Sequence, residues 1–161
     1  MRTIPTEDFE RIEEIIRKCP ICFLGMVDKE GLPYVLPMNF GLEEDIIYLH
    51  SAPDGYLVSV IENNPNVCIT FCTDADLVWQ HEQVACSYRM RTESVVCNGK
   101  VEFEEDYDEK VKALDIIMRQ YSDREFSYSE PAVVNVKIWK VKIDKVTAKS
   151  FGVPAERVTI L

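Results

Sequence analysis

The first part of the chain carries a helical hydrophobic repeat. Apolar side chains recur three or four positions apart at Phe9, Ile12, Ile15 and Ile16. This spacing predicts an amphipathic helix that Thr6 caps and that ends before Pro20. Acidic residues stand early in this segment and two basic residues, 17–18, stand late, as the helix dipole favours.

The helical repeat then gives way to short apolar runs separated by turn residues, a pattern that predicts strands. The runs cover residues 21–27, 34–40, 46–50, 67–73, 94–103 and 133–146. Turns at 28–31 and 41–45 separate the first three runs, so these strands are expected to form an antiparallel meander. The Asn-Gly pair at 98–99 predicts a bend or bulge in the fifth strand.

Two further helices are predicted between the strands. Leu57, Val58 and Ile61 share a helical face, and the sequence Asn-Asn-Pro at 63–65 ends that helix. Asp106 is placed to cap a helix whose apolar positions are Tyr107, Val111, Leu114 and Met118. Residues 75–92 and 121–131 are interpreted as irregular.

Six strands with mostly short connections and a few helices predict a mainly β fold, an antiparallel β-barrel with flanking helices. A chain of 161 residues that is 47% hydrophobic can bury one substantial core. We therefore expect a single domain over residues 1–161.

Charge and hydropathy narrow the choice of partners. The formal net charge of −10 argues against DNA or RNA, because binding to phosphate backbones depends on Lys and Arg. No apolar stretch approaches the ~20 residues of a membrane-spanning helix, and the N-terminal residues lack the apolar region of a secretory signal. We expect a cytoplasmic protein that binds neither nucleic acid nor membrane.

The motif Cys19-Pro-Ile-Cys22 has the spacing of a zinc knuckle or of a thiol–disulfide pair. A zinc site needs four ligands, and the remaining cysteines (68, 72, 86 and 97) and histidines (50 and 81) offer no second closely spaced pair. Redox pairs stand between a strand and a helix, whereas here a helix precedes the motif and a strand follows it. We interpret the motif as a loop cysteine and a buried strand cysteine, with a redox or metal pair as the alternative.

The residues alone yield no mechanism. His50 ends an apolar run and can face either a pocket or solvent, and the acidic stretch 101–110 is typical of a strand end followed by a solvated first helical turn. The glycine-rich nucleotide loops and the nucleophile elbow of hydrolases do not occur in the sequence.

Four segments in series resemble a known family. They are GLPYVLPMNF (31–40), IIYLHSAPDG (46–55), IENNPNVCITF (61–71) and SVVCNGKVEFEED (94–106). Together they are similar to the pyridoxamine 5′-phosphate oxidase-like, FMN-binding split barrels, and most to their nitroimidazole-resistance branch. The resemblance covers about residues 9–148, which would form the core of the domain and leave 149–161 as a C-terminal tail.

The resemblance implies a homodimer that holds FMN in two clefts at the subunit interface, and the reduction of a small molecule such as a nitroaromatic. It implies that the following residues contact the flavin: Val35, Leu36, Pro37, Met38, Asn39, Phe40, His50, Ser51, Gly55, Leu57, Ser94 and Val95. The backbone of the first six would bond the ring edge. His50 stands where the nitroimidazole-resistance branch has a histidine, and it is the expected catalytic residue, for substrate contact or proton delivery.

One departure from the family concerns the phosphate of the cofactor. Tyr56 and Leu57 occupy positions that usually carry Lys or Arg, so Ser51, the backbone N–H groups around Gly55, Arg89, Arg91 or Lys100 would have to bind it, or FAD replaces FMN. The C-terminal Trp and Arg–His segment of true pyridoxamine phosphate oxidases is also absent, which argues against vitamin B6 synthesis. A module that binds flavin or another cofactor without turnover is the alternative function.

Overall fold

The structure of the protein is a computed structural model that describes residues 1–154. Its strands are β1 (Arg2–Thr6), β2 (Cys22–Val27), β3 (Pro33–Met38), β4 (Gly41–Glu43), β5 (Ile46–Ser51), β6 (Asn66–Cys72), β7 (Asp76–Val78), β8 (Arg89–Glu104) and β9 (Lys137–Val153). Its helices are α1 (Phe9–Arg17), α2 (Tyr56–Asn63), α3 (Tyr107–Arg119) and α4 (Glu130–Val134), with a 3₁₀ turn at Ala85–Ser87. The predicted mainly β fold class is confirmed.

The chain divides into two compact units, each with its own contacts. The larger unit contains residues 20–70 and 96–146. The smaller unit contains residues 1–19 and 71–95 and the chain from 147 onward. None of the helices within residues 1–154 is long and apolar enough to cross a membrane.

The larger unit contains most of the sheet, in the strand order β3-β2-β6-β8-β9-β5-β4 with antiparallel pairing of β2 with β3 and β6, and of β5 with β4 and β9. The two outermost strands, β3 and β4, are separated along the chain by only two residues, Asn39 and Phe40. A sheet whose outer strands are joined so closely has to curl until these edges approach one another. The interior of this curled sheet is lined by Leu24, Phe40, Ile47, Leu49, Ile69 and Trp139, each 0% exposed.

Helix α3 packs on the corner between β3 and β4. A Cβ atom at Gly41 would lie 2.7 Å from the backbone nitrogen of Ile117 and 2.8 Å from the carbonyl of Ile116, so only glycine fits against the helix here. The helix begins at the predicted cap, where the Asp106 carboxylate accepts a hydrogen bond from the Glu109 N–H at 3.1 Å. The strand corner is thereby held against the last turns of α3.

The smaller unit is built around α1, which buries Ile12, Ile15 and Ile16 as its spacing predicts. Strand β1 pairs antiparallel with the end of β9, and β7 pairs with the start of β8. Glu93 on β8 connects three elements: it accepts hydrogen bonds from the Arg11 guanidinium at 2.5 Å and from the Ser150 hydroxyl at 3.0 Å.

Several predicted boundaries are wrong. Asp8, not Thr6, caps α1, because Thr6 ends a strand that the sequence did not indicate. Residues 41–43 form β4 rather than part of a turn, since they pair with β5, and the turn itself is confined to Glu44, with φ of 51°, and Asp45. The strand β8 runs through Asn98 and Gly99 without interruption, and glycine is needed there because a Cβ atom would collide with the Lys142 carbonyl oxygen of β9; the bend or bulge stays a prediction.

The last strand is also displaced from its predicted position. Residues 133–134 belong to α4, which carries Pro131 in its first turn, and β9 starts at Lys137 and continues to Val153. The expected tail, 149–161, therefore contains strand residues up to 153 that pair with β1, and its residues 155–161 lie outside the described part of the chain. Residues 75–92 were expected to be irregular, but they include β7, the 3₁₀ turn and the start of β8.

Candidate functional site

The expected ring-binding segment contains an edge strand. Within the described residues β3 pairs only with β2, so the hydrogen-bonding groups on its outer side have no strand partner. Pro33 and Pro37, which cannot donate a hydrogen bond, are tolerated at such an edge. Val35 is 62% exposed, whereas Leu36 is half-buried. The strand therefore presents backbone donors and acceptors beside an apolar side chain.

The end of this segment turns into the core. Met38 and Phe40 are buried, while Asn39 between them is exposed. The backbone N–H of Phe40 donates a hydrogen bond to the Tyr121 phenol oxygen at 2.9 Å. In the antiparallel pairing of β4 with β5, Gly41 stands opposite Tyr48. Extending this register by two residues would place Asn39 opposite His50. Within the segment 37–40, therefore, the exposed side chains are those of Pro37 and Asn39.

Two tyrosines and an aspartate bring the start of α2 to the hairpin between β2 and β3. The Tyr56 hydroxyl donates to the Asp28 carboxylate at 3.3 Å, and the Tyr56 ring meets the edge of the Tyr34 ring with centroids 5.5 Å apart. The other Asp28 oxygen accepts the backbone N–H groups of Glu30 and Leu32 at 3.0 and 2.8 Å. The turn aspartate thus holds α2 beside the first residues of β3.

Gly55 precedes α2 in a left-handed conformation, with φ of +116°, which only glycine adopts without strain. No atom lies within 4 Å of the position that its Cβ would occupy. Leu57, two residues further along the chain, is half-buried. The backbone at Gly55 is therefore open to approach by a ligand.

His50 and Ser51 lie at the end of β5, opposite Ile138 and Lys137 of β9. His50 is exposed, and partial desolvation lowers the pKa of its imidazole, which keeps the ring neutral at pH 7. The Ser51 hydroxyl accepts a hydrogen bond from the Trp139 indole N–H at 3.1 Å and donates its own hydrogen to the Ala52 carbonyl at 2.8 Å. The Ser51 hydroxyl has no hydrogen left to donate to a ligand.

Ser94 and Val95, the remaining expected site residues, belong to the smaller unit. Both lie on β8, where Ser94 is half-buried and Val95 is 0% exposed. The preceding residue, Glu93, donates its backbone N–H to the Thr73 hydroxyl at 3.0 Å. The buried side chain of Val95 leaves only its backbone for contact with a ligand.

A planar heterocycle fits the larger unit better than a phosphate fits the start of α2. The unpaired edge of β3, the exposed Val35 side chain and the open backbone at Gly55 offer polar and apolar contacts of the kind that a flavin ring needs. At Tyr56, in contrast, a phosphate would meet the Asp28 carboxylate instead of a cation. The larger unit therefore offers suitable contacts for the flavin ring, but the residues at the start of α2 do not suit a phosphate.

The cysteine motif is buried on both sides of Pro20. The Cys19 thiol donates to the Ile15 carbonyl at 3.3 Å, and the Cys22 thiol donates to the Met38 carbonyl at 3.5 Å. Burial raises the pKa of Cys19 to about 11, whereas redox chemistry and metal ligation need a thiolate. All six cysteines are present as thiols, and no group of three or more metal-ligating side chains occurs among residues 1–154.

The sequence did not single out Asp28, Tyr34, Tyr121 and Trp139, which hold the site residues in place. Asp28 carried a usable signal, since an aspartate that opens a turn accepts backbone N–H groups. The contacts of the three aromatic residues join segments 22 to 88 residues apart, and no local pattern reports them.

Comparison with known proteins now places the chain. A solved structure of a candidate 5-nitroimidazole antibiotic resistance protein from Bacteroides thetaiotaomicron is 56% identical over 92% of this chain and 87% of that chain, with a TM-score of 0.85. The flavocytochrome Anf3 from Azotobacter vinelandii is 21% identical over 93% and 70%, with a TM-score of 0.80. An FAD and heme binding protein from Mycobacterium smegmatis is 16% identical over 94% and 76%, with a TM-score of 0.82, and these two show the fold alone.

A search of curated proteins gives no significant match. The sequence profile of the pyridoxamine 5′-phosphate oxidase family matches residues 8–150, close to the range over which the four segments resemble it. The predicted resemblance to this family, and within it to the nitroimidazole-resistance branch, is thus confirmed. This chain belongs to the pyridoxamine 5′-phosphate oxidase family, with the split-barrel fold of its members.

Proposed function

We propose that this protein is a flavin-dependent oxidoreductase that reduces a small molecule of the nitroimidazole or nitroaromatic class. The observation that carries the proposal is its 56% identity, over 92% of the chain, with the candidate 5-nitroimidazole resistance protein. The exposed edge of β3, beside an open glycine backbone, supports it from the geometry. A bound flavin supplies two-electron transfer, so no catalytic triad or metal is required of the protein.

The chain's own residues have three tasks in this function. The backbone from Val35 to Asn39 holds the edge of the ring, and the Val35 side chain contacts its face. The Tyr56–Asp28 hydrogen bond fixes the start of α2 beside that strand. His50 is exposed and contacts the substrate, and its protonated form, which the lowered pKa of the imidazole confines to pH values below the ordinary 6.5, delivers a proton to it.

The cofactor is FMN in this proposal, with FAD as the alternative because Tyr56 and Asp28 stand where a terminal phosphate would need a cation. The protein acts as a homodimer that holds a flavin at each end of the interface. The exposed apolar side chains of the sheet, among them Phe23 at 40% and Val35 at 62%, support such an interface. Six cysteine thiols support a cytoplasmic site of action.

The experiment starts with the absorbance spectrum of the purified protein and the mass of the released cofactor. The flavoprotein is then reduced without oxygen, and a nitroimidazole is added while flavin reoxidation is followed. We expect stoichiometric flavin and rapid reoxidation in the wild type. His50→Gln should slow reoxidation about tenfold or more while flavin content is unchanged, and the matched variant His81→Gln, at the other histidine, should behave as the wild type.

A module that binds flavin without turnover is the second candidate. It is favoured by one observation: His50 forms no hydrogen bond with any described residue, so nothing orients its ring as a general acid requires. The two functions separate in the same experiment. Binding of flavin with no transfer to any nitro compound, and equal behaviour of wild type and His50→Gln, would establish the module. Failure to take up FMN or FAD would eliminate both.

A further inference from the structure

Two exposed tyrosine rings of the larger unit meet at a right angle. The ring of Tyr34, on β3, and the ring of Tyr56, in the first turn of α2, have centroids 5.5 Å apart and planes inclined by 87°. Tyr34 is 38% exposed and Tyr56 is 56% exposed. Both rings therefore keep open surface beside their mutual contact.

A T-shaped pair of rings forms corners, and each corner is bounded by one face of either ring. The face of an aromatic ring carries the negative part of its quadrupole. A cation in such a corner is attracted by both faces at once, as in the aromatic cages that bind alkylated ammonium groups. No ammonium or guanidinium group among residues 1–154 lies over the Tyr34 or Tyr56 ring.

The Asp28 carboxylate supplies negative charge beside this corner. One of its oxygens accepts the Tyr56 hydroxyl at 3.3 Å, and a single hydrogen bond leaves that oxygen able to accept a further contact. The other oxygen accepts two backbone N–H groups of the turn between β2 and β3. Asp28 forms no ion pair with any described residue, so its charge is not compensated by the chain.

The electrostatic environment of Tyr56 is negative. Desolvation raises the pKa of its phenol most, and the charges of Asp28 and Glu30 raise it further. Asp54, exposed two residues before Tyr56, adds a carboxylate that also has no ion-pair partner in the described chain. Lys29 is the one basic residue in the turn 28–32. Acidic residues therefore outnumber basic ones beside the exposed ring faces.

We infer that the corner between Tyr34 and Tyr56, with the Asp28 carboxylate at its side, is a binding site for a small organic cation that carries an alkylated ammonium group. Such a cation is large and weakly hydrated, so it gains from contact with ring faces that a compact, strongly hydrated ion does not. Phosphorylated ligands are disfavoured, because a phosphate would meet the charges of Asp28 and Glu30.

The departure from the family at the start of α2 thereby acquires a physical meaning. The resemblance implies Lys or Arg at Tyr56 and Leu57, and such side chains would attract an anion. With a tyrosine ring beside an aspartate, the same position attracts a cation instead. The site requires neither flavin nor turnover, so it goes beyond the proposed function.

The experiment titrates choline into the purified protein and follows the tyrosine ring signals by NMR. The matched ligand is the neutral analogue of choline, in which a tert-butyl group replaces trimethylammonium, and ammonium chloride at equal ionic strength controls for charge alone. We expect saturable binding of choline at about millimolar concentration, binding of the neutral analogue at least about fivefold weaker, and no comparable binding of ammonium.

Variants identify the side chains that bind. Tyr56→Leu and Tyr34→Leu each remove a ring face and should raise the dissociation constant of choline about threefold or more, whereas Tyr56→Phe keeps the face and should change it less than about twofold. Asp28→Asn should weaken binding about two- to fivefold. The control Tyr107→Leu removes an exposed tyrosine flanked by two aspartates but without a second ring among the described residues, and it should have no effect.

The outcomes separate a ring site from general attraction of cations. Equal affinities for choline and its neutral analogue, equal effects of Tyr56→Leu and Tyr107→Leu, or displacement of choline by ammonium at equal ionic strength would each overturn the inference. Thermal unfolding shows that each variant is folded, and Tyr34→Leu provides the test if Tyr56→Leu is not. The titration needs no nitro compound, so a failure of the proposed oxidoreductase function leaves it intact.

Discussion

The phenol oxygen of Tyr121 accepts the backbone N–H of Phe40 at 2.9 Å, and in this way the loop after α3 holds the end of the edge strand β3. Burial raises the pKa of Tyr121 above its ordinary value of 10, so the phenol stays neutral at pH 7. Phe40 itself is 0% exposed. A loop residue 81 positions away thus sets where the expected ring-binding segment enters the core.

Tyr121→Phe removes this acceptor and keeps the ring. We expect the free energy of unfolding to fall by about 1 to 2 kcal/mol, because a backbone N–H in a part-buried site loses its partner. Urea denaturation measures the change. The matched variant Tyr107→Phe, at an exposed tyrosine for which the described residues provide no hydrogen bond, should leave the unfolding midpoint unchanged, and an equal loss in both variants would contradict the assignment.

Gly41→Ala should destabilise the larger unit by about 3 kcal/mol, because the added Cβ would lie within 2.8 Å of the α3 backbone and one element would have to shift. Gly31→Ala is the matched control. Gly31 also has a positive φ, of +80°, but its missing Cβ faces open space, so only backbone strain of about 1 kcal/mol is expected. Thermal unfolding compares the two, and the interpretation of Gly41 fails if the control is the less stable variant.

Thiol accessibility separates the six cysteines into three classes. Cys72 and Cys86 are exposed, Cys68 is half-buried, and Cys19, Cys22 and Cys97 are buried. Burial also raises the pKa of Cys19 to about 11 and that of Cys97 to about 12, which leaves little thiolate at pH 8. Iodoacetamide should therefore label Cys72 and Cys86 first, as read by peptide mass mapping.

The same labelling, together with a variant, tests the role of the motif Cys19-Pro-Ile-Cys22. Cys19→Ser should leave flavin content and nitro reduction unchanged, since the thiol is buried, donates to the Ile15 carbonyl and lies in the smaller unit, away from the expected ring-binding strand in sequence. Stoichiometric zinc, or rapid labelling of Cys19 in the folded protein, would instead support a metal or redox pair.

Acid stability should depend on two carboxylates at the end of β8. The Lys140 ammonium, 2.6 Å from Glu104, lowers the pKa of that carboxyl below 4.5, and Lys137 does the same for Glu105 at 2.7 Å. The unfolded chain binds these protons at higher pH than the folded protein does. Stability from both pairs is therefore complete above about pH 5 and is lost as the pH falls through the lowered values.

Lys140→Met tests this dependence. The variant should lose less stability than the wild type between pH 5 and 3, as measured by the midpoint of urea unfolding at each pH. The Glu104 side chain is only 15% exposed, so its pair should have the larger effect, and Lys137→Met, whose partner Glu105 is 64% exposed, should change the pH dependence less. The reverse order would show that exposure does not govern these pairs.

The pH dependence of nitro reduction should report on His50. Desolvation lowers the pKa of its imidazole, so the imidazolium that donates a proton forms only below the ordinary value of 6.5. The rate of flavin reoxidation should rise as the pH falls below that value in the wild type. In His50→Gln the profile should be flat, and a profile identical to the wild type would remove His50 from the mechanism.

Local signals predicted a large part of this fold correctly. The spacing of Ile12, Ile15 and Ile16 identified the buried face of α1, and Asp106 identified the start of α3. These succeed because a helix repeats every 3.6 residues and its cap is a neighbour in sequence. The short run 41–43 and the strand from 149 to 153 were missed, since each becomes a strand only by pairing with a distant one.

The candidate site residues come from the family resemblance and remain predictions, and the structure adds their environments. The four segments identified the family because each is a continuous run of residues, whereas the position of Val35 on an edge strand is known only from the structure. The occupied hydroxyl of Ser51, the buried side chains of Phe40 and Val95, and the carboxylate beside Tyr56 depend on contacts from elsewhere in the chain.

By itself, the sequence determined the helices α1, α2 and α3, most of the strands and the family of this protein, because hydrophobic period, caps and turn residues act over a few neighbouring positions. Tertiary structure alone decided that the ends of the sheet meet through Asn39 and Phe40 and that the rings of Tyr34 and Tyr56 form a corner beside Asp28. Those relationships join residues far apart in the chain, and they exist only once the strands have paired and the sheet has curled.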